Sequence, residues 1–112
     1  MQELSIEKRV KKIIENLEDK KALDIMEYDL RDKDYFVDFV IVATTMADKH
    51  AAALLDHLKK TLKPYETFLG VDSSDDWTVI DLGDILIHLM SEEYRAKYQM
   101  DEFLKEFQNK LR

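Results

Sequence analysis

Five aspartates and no lysine or arginine lie in the segment 72–84: Asp72, Asp75, Asp76, Asp81 and Asp84. Clustered carboxylates can hold Mg²⁺, which prefers oxygen ligands. They can also surround Trp77 with negative charge and so form a docking surface for a basic protein. A third interpretation is local, because aspartate side chains accept hydrogen bonds from their own backbone in turns. The spacing alone favours turns first, a docking surface second and a metal site third.

The metal interpretation corresponds to a nucleotidyl- or phosphoryl-transfer enzyme that uses Asp81 and Asp84. The sequence, however, contains neither a P-loop nor another Gly-rich loop to hold phosphate. Its histidines form no metal motif, since His50 and His57 lie about two turns apart along one predicted helix. We therefore expect no catalytic residue, no metal ion and no cofactor, and the enzyme is the alternative hypothesis.

The residues around these aspartates predict a β-hairpin. Two apolar runs, Trp77–Ile80 and Ile85–Met90, are joined by a four-residue link that contains Gly83. Glycine can adopt the positive φ that a tight turn requires. Alternation places Trp77 and Asp81 on the same face of the first strand. Because both faces of both runs are mostly apolar, we expect central strands covered by helices on both sides.

The rest of the chain is expected to supply those helices and the neighbouring strands. Ser5 and Asp48 are candidate caps for two amphipathic helices. The predicted elements are helices over 5–19, 49–62, 91–98 and 101–111, with the last including Leu111, and strands over 22–29, 36–43 and 65–71 in addition to the hairpin. Their order predicts an α/β fold with a mixed sheet of about five strands flanked by helices on both faces. Segments 36–43, 49–62 and 65–71 are expected to form a parallel crossover unit.

Two of the predicted strands carry more specific expectations. The run 36–43 is apolar on both faces and should be buried on both. Its one charge, Asp38, is expected at the start of the strand or as a carboxylate held by backbone N–H groups, rather than facing a site. In the strand 22–29, Leu23 and Ile25 should share one face with Glu27.

Composition limits the class of protein. A length of 112 residues predicts one domain, 1–112, and a hydrophobic content of 46% excludes general disorder. The chain has no cysteine, so disulfides and thiolate metal sites are excluded. It has no apolar run long enough to span a bilayer and no recognisable signal peptide, so we expect a cytoplasmic protein without a membrane partner. A net charge of −7 disfavours binding to nucleic-acid phosphates and suits either a basic partner or simple solubility.

The hairpin also carries a family resemblance. The segment Trp77–His88 contains a tryptophan, a hydrophobic run, an Asp-x-Gly-Asp link and a final histidine. Arg95, Tyr98 and the sequence Met-Asp-Glu that follows continue the pattern, and Asp38–Thr44 matches upstream in the same order. Over about residues 22–104, this chain resembles the ribosomal silencing factor family, also called the Iojap-like family.

The resemblance implies an α/β domain similar to nucleotidyltransferases but without their catalytic residues. It implies binding to the large ribosomal subunit, chiefly to its protein fourteen, on the face that meets the small subunit. A bound domain would block subunit joining sterically and so repress translation, and a part in large-subunit assembly is also implied. The partner is then a basic ribosomal protein, with little direct nucleic-acid binding. Family members form homodimers, while this sequence leaves the oligomeric state open.

The resemblance also indicates which residues bind the partner. The candidates, all within the matched segment, are Trp77, Asp81, Asp84, His88, Met90 and Tyr98. The first three are expected near the docking surface. Met90 and Tyr98 are further candidates because the passage from strand to helix lies beside that surface. His88 is expected either to pack within the sheet or to contact the partner, whereas Gly83 is expected to be structural.

Overall fold

The computed structural model describes residues 4–110 of the chain. Its helices and strands are α1 (Ile6–Asp19), β1 (Leu23–Asp29), β2 (Phe39–Thr45), α2 (Asp48–Leu62), β3 (Gly70–Ser73), β4 (Trp77–Asp81), β5 (Ile85–Ser91), α3 (Glu92–Lys97) and α4 (Met100–Gln108). The strands form one five-stranded sheet in the order β1-β2-β5-β4-β3. In this sheet β2 and β5 are parallel, and the other neighbours are antiparallel. The predicted mixed α/β sheet is therefore confirmed.

Helices cover both faces of the sheet, as predicted, and each helix layer encloses its own hydrophobic core. Helices α1 and α2 pack over a core that includes Ile41 and Ile87. Helix α4 closes the other core, which includes Val40 and Leu86. Alternate residues of β2 and β5 supply the two cores, which explains why these central strands are apolar on both faces.

The helices form close to their predicted bounds. Ser5 caps α1 by accepting a hydrogen bond from the Lys8 amide at 3.3 Å. Helix α2 begins at Asp48 with Ala47 in the capping position, so the predicted cap at Asp48 is wrong. Leu111, expected on the last helix, lies outside the described residues. Within residues 4–110, no helix is both long enough and apolar enough to cross a membrane.

The third predicted strand is wrong in both position and pairing. The sequence predicts it over 65–71, whereas β3 begins at Gly70 and is exposed along its whole length. The amides of Tyr65 and Glu66 bond to the Leu62 carbonyl, both at 2.8 Å, and so turn the chain at the end of α2. Strand β3 then pairs with β4 at the edge of the sheet. The parallel partner of β2 is β5, so the crossover runs from β2 to β5 and not to the predicted strand.

Strand β2 begins later than the predicted 36–43. Phe36 precedes the strand and is 75% exposed. Asp38 is also exposed, directly before the first residue of the strand, which matches the expectation of a structural position at the strand start. The amides of Asp38 and Phe39 both bond to the Asp84 carbonyl, at 2.9 and 3.2 Å, and this contact sets where pairing with β5 begins.

Strand β1 does not alternate as the sequence predicts. Asp24 has a φ of 48°, and the pairing with β2 shifts register between Leu23 and Met26. Leu23 is 47% exposed, and Tyr28 is the side chain that β1 buries fully. Leu23 lies opposite Thr44 and Glu27 opposite Ile41, which are on different faces of β2. The predicted shared face of Leu23, Ile25 and Glu27 is therefore wrong, because the register shift breaks the alternation.

Strand β4 is fully covered on one face only. Thr78 and Ile80 are buried, whereas Trp77, Val79 and Asp81 on the other face are half-buried. On that side of the sheet α3 packs against β2 and β5, and α4 packs against β1. The expectation of cover on both faces is therefore confirmed for β5 and wrong for β4.

Candidate partner-binding site

The half-buried face of β4 forms the centre of a surface that combines aromatic and acidic side chains. We call it the β4 surface and define it as Trp77, Val79 and Asp81 of β4, Asp72 of β3, Phe36 before β2 and Tyr98 after α3. Val79 and Asp72 are partners across the β3–β4 pair. Both line a shallow groove with Phe36 and Asp81. Phe36 is 75% and Tyr98 49% exposed, so large apolar side chains meet solvent here.

Trp77 is held from two sides. Its indole N–H donates a hydrogen bond to Nδ1 of His88 at 2.9 Å. Its ring centroid lies 5.3 Å from that of Tyr98, which in turn lies 5.6 Å from that of Tyr94. Directly across the strand pair from Trp77 is Met90, which is fully buried. The predicted residues Trp77, His88, Met90 and Tyr98 thus come together in space.

These four residues differ in what they can offer a partner. Tyr98 is exposed and Trp77 half-buried, so both can be touched from outside. His88 is 7% exposed and Met90 is 0% exposed, so they support the surface from within. Burial lowers the pKa of His88 to about 4, and the ring is therefore neutral near pH 7. A neutral imidazole has the lone pair that the Trp77 N–H requires.

The Asp81 carboxylate has a local structural contact. It accepts a hydrogen bond from the Gly83 amide at 2.8 Å within the hairpin turn. Gly83 has a φ of 96°, as expected for a residue whose role is to form the turn. The turn interpretation of this aspartate is therefore supported, although Asp81 also lines the groove of the β4 surface.

Asp84 belongs to a different part of the molecule. Both of its carboxylate oxygens accept hydrogen bonds from the Arg9 guanidinium of α1, at 2.7 and 2.8 Å. The same guanidinium donates two hydrogen bonds to Glu66, both at 2.8 Å, and the Glu66 side chain is 2% exposed. The hydrogen bonds from Arg9 lower the pKa of Asp84. Asp84 therefore joins the hairpin turn to α1 and is not grouped with Trp77.

The remaining aspartates do not assemble into a metal site. Asp72 and Asp75 are exposed, and the backbone carbonyl of Asp76 accepts a hydrogen bond from the Ser91 amide. Across the part of the chain that the structure describes, no group of three or more His, Asp or Glu side chains is arranged to hold a metal ion. The carboxylate of Asp84 is already engaged by Arg9, so the geometry gives the alternative enzyme hypothesis no support.

A second polar network holds the end of the β4 surface that contains Tyr98. Arg95 of α3 donates hydrogen bonds to both oxygens of Asp101, at 2.7 and 2.9 Å, and to the Thr44 hydroxyl at 2.9 Å. The Tyr28 hydroxyl also bonds to Asp101. Arg95 and its partners therefore tie α3 and the start of α4 to the sheet. This connection fixes the turn in which Tyr98 lies.

Sequence reasoning missed three residues that the structure brings to these sites. The period of two places Val79 on the face that Trp77 and Asp81 share, but Val79 was not named as a binding residue. Phe36 was assigned to the first position of a predicted strand, and its exposure depends on where pairing with β5 begins. Arg9 is the one arginine among the basic residues of α1, the others being lysines, which is a signal for a bidentate ion pair.

Comparison with known proteins gives one consistent result. The family model described as "Ribosomal silencing factor during starvation" matches residues 3–111. A ribosomal silencing factor of Haemophilus influenzae is 32% identical over 94 residues, which cover 80% of this chain and 91% of that protein. The chloroplastic protein Iojap of Zea mays is 29% identical, over 74% of this chain and 37% of its own length.

A solved structure agrees with these matches. A crystal structure of a Chromobacterium violaceum protein superposes with a TM-score of 0.84 at 28% identity, covering 91% of this chain and 88% of that one. A mouse relative, 27% identical over 88% of this chain and 47% of its own length, is named "Mitochondrial assembly of ribosomal large subunit protein 1". The family match spans nearly every residue, and the chain therefore belongs to the ribosomal silencing factor family.

Proposed function

We propose that this protein binds the large ribosomal subunit through the β4 surface and thereby blocks association with the small subunit. Translation is repressed as a result, in the cytoplasm. The observation that carries the proposal is the pairing of Trp77 and Tyr98, with ring centroids 5.3 Å apart, at a sheet face that no helix covers completely. Exposed aromatic side chains beside a groove are typical anchors of protein interfaces.

The partner we propose is a basic protein of the large subunit, protein fourteen. Asp72 and Asp81 place carboxylates in the groove beside Phe36, and the whole chain carries a net charge of −7. Such a surface is attracted to lysine and arginine side chains and repelled by rRNA phosphates. The charges therefore favour a protein contact over a direct nucleic-acid contact.

The mechanism that we propose is steric. The described part of the molecule measures 40 × 40 × 21 Å. A domain of this size, bound where the two subunits meet, occupies space that the small subunit needs. Repression then requires no catalytic group, only sufficient affinity and a position on the joining face. The same contact with free large subunits also suits a part in their assembly, the role that the mouse relative is named for.

Cosedimentation tests this proposal. The purified protein is mixed with isolated large subunits, isolated small subunits and intact ribosomes, and the bound fraction is measured after centrifugation. We expect binding to large subunits only, with fewer joined ribosomes as protein is added. Trp77→Ala should reduce binding at least tenfold, since aromatic anchors at interface centres contribute ~2 kcal/mol or more.

The matched control is Tyr65→Ala. Tyr65 is also a partly buried aromatic residue, but its ring lies beside α1, with Lys12 Nζ 4.7 Å from the ring centroid. The control variant should bind like the wild type, and circular dichroism must show that both variants are folded at the assay temperature. Equal binding by folded Trp77→Ala and wild type would remove Trp77 from the interface.

A further inference from the structure

The one tryptophan of the chain has its side-chain N–H group turned into the protein. The Trp77 indole donates to Nδ1 of His88 across the β4–β5 pair at 2.9 Å. The two residues are diagonal neighbours, because Trp77 lies opposite Met90 and His88 lies opposite Val79. Diagonal neighbours share a sheet face, and a large ring can reach from one to the other. The hydrogen bond is thus built into the register of the hairpin.

The surroundings of His88 keep its ring neutral, so that Nδ1 can accept the hydrogen bond from Trp77. Its in-register neighbours on the two flanking strands are Val42 and Val79, which carry no charge. The side chain is 7% exposed, and burial lowers its pKa to about 4. A ring that accepts at Nδ1 carries its proton on Nε2, and it keeps this form while it is neutral.

We infer that His88 is a positioning residue, which holds the Trp77 indole in a single orientation on the β4 surface before any partner arrives. The inference rests on the proposed function, because it concerns how the same surface docks. With its N–H bonded inside, Trp77 presents only apolar ring surface beside Tyr98. Such a ring face suits the side chain of an arginine or lysine from a basic partner. The Trp77 indole requires no hydrogen-bond acceptor from that partner, because its N–H is already bonded to His88.

The benefit of this arrangement is preorganisation. A tryptophan ring that rotates freely in the unbound protein must lose that freedom when a partner binds, and affinity falls accordingly. His88 removes this loss by ordering the ring during folding. Loss of the hydrogen bond should therefore weaken binding about tenfold, even when the protein remains folded.

Two variants separate the hydrogen bond from packing. His88→Leu keeps an apolar side chain of suitable size but removes the acceptor. His88→Asn retains an oxygen near the position of Nδ1. Since the chain has one tryptophan, the indole N–H gives a single cross-peak in a ¹H–¹⁵N correlation spectrum, and its hydrogen-exchange rate is measured in the unbound protein.

We expect slow indole exchange in the wild type, exchange at least tenfold faster in His88→Leu, and recovery toward the wild-type rate in His88→Asn. Affinity for isolated large subunits should follow the same order. The control is Leu89→Met, which alters the adjacent residue of β5 within the core under α1 and α2 and should change neither measurement. If His88→Leu does not fold, His88→Gln provides a polar side chain with its acceptor displaced from the Nδ1 position.

Two results would overturn the inference: fast indole exchange in the wild type, or full-strength subunit binding by a folded variant with fast exchange. The second result would leave the proposed function intact, since the wild type and the variant would both bind. Failure of the wild type itself to bind any ribosomal fraction would instead remove the proposed function, and the docking role of His88 with it.

Discussion

At the scale of single residues, the sequence predicts which side chains share a face of one strand. It does not predict contacts between residues that are far apart in the sequence. The period of two predicts that Trp77 and Asp81 share a face, and both line the β4 surface. Asp84 follows the same motif, but its carboxylate is bound by Arg9, which lies 75 residues away in sequence. No local pattern specifies that pairing. The candidate site was therefore predicted where it depends on one strand and missed where it depends on a helix from the other end of the chain.

Burial of His88 has a measurable consequence for stability against acid. The pKa of His88 falls from its ordinary value of 6.5 to about 4 in the folded protein, because the buried ring resists charging. Between these values the unfolded chain binds more protons than the folded protein. Above pH 6.5, His88 therefore does not lower the free energy of unfolding. As the pH falls from 6.5 toward 4, His88 lowers the free energy of unfolding by ~3 kcal/mol in total.

Urea denaturation at a series of pH values tests this contribution. We expect the wild type to lose more stability than His88→Asn between pH 6.5 and 4, because asparagine has no proton to gain. Asp84 and Asp101 have pKa values lowered by their arginine partners, so their contributions are lost only at lower pH and in both proteins. Parallel curves for the two proteins across this range would show that His88 charges as easily in the fold as in the unfolded chain.

At the scale of elements, prediction succeeded where hydrophobic periodicity was strong. Helix α1 buries Val10, Ile13 and Leu17 at the predicted spacing, and β5 is buried on both faces as its apolar run indicates. Strand β3 is the opposite case, since all four of its residues are exposed and leave no periodic signal. The order of strands was also missed, because pairing of β2 with β5 depends on packing between segments that are distant in sequence.

The contact between α1 and the hairpin turn should contribute strongly to stability. Arg9 bonds to both Glu66 and Asp84, and its removal leaves the Glu66 carboxylate, 2% exposed, without its ion pair. Leaving a buried charge unpaired costs ~3–5 kcal/mol. We therefore expect Arg9→Met to lower the free energy of unfolding by about that amount, as measured by chemical denaturation.

Arg31→Met is the matched control for this prediction. Arg31 also pairs with two carboxylates, Glu7 and Asp29, but all three side chains are at least 40% exposed. Exposed ion pairs contribute little to stability because solvent and salt screen them, so this variant should be only slightly destabilised. The triple variant Arg9→Met, Glu66→Gln, Asp84→Asn should recover part of the loss, because no buried charge remains unpaired. Equal losses from Arg9→Met and Arg31→Met would show that burial adds nothing to the Arg9 contact.

At the scale of the whole molecule, helices cover the two sides of the sheet to different extents. Helices α1 and α2 close one core completely, while α3 and α4 cover β1, β2 and β5 and leave the β4 surface partly open. The open part carries aromatic side chains together with Asp72 and Asp81. The net charge of −7 acts over the entire molecule, whereas Asp72 and Asp81 lie on the surface that the proposed partner would approach. The position of these carboxylates and the total charge of the molecule therefore lead to different predictions for the association rate.

Salt dependence of association distinguishes them. The rate constant for binding isolated protein fourteen of the large subunit should fall as salt is raised, because screening weakens attraction to its basic side chains. Asp72→Asn combined with Asp81→Asn should lower the low-salt rate by ~2- to 5-fold and flatten its salt dependence. Asparagine at position 81 can still accept from the Gly83 amide, so the turn is expected to persist.

Glu15→Gln with Glu18→Gln removes the same charge from α1, on the opposite side of the sheet, where both residues are exposed. Compared at ~0.1 M salt, this control should change the rate less than the aspartate pair does, since screening there limits the reach of surface charges to ~10 Å. A reduction equal to that of the aspartate pair would mean that total charge alone steers the protein.

With whole large subunits, the fall in association rate with salt should be weaker than with isolated protein fourteen, because rRNA phosphates repel the same carboxylates that the basic protein attracts. The acidic β4 surface would then select its partner by opposing the surrounding RNA as well as by attracting the protein.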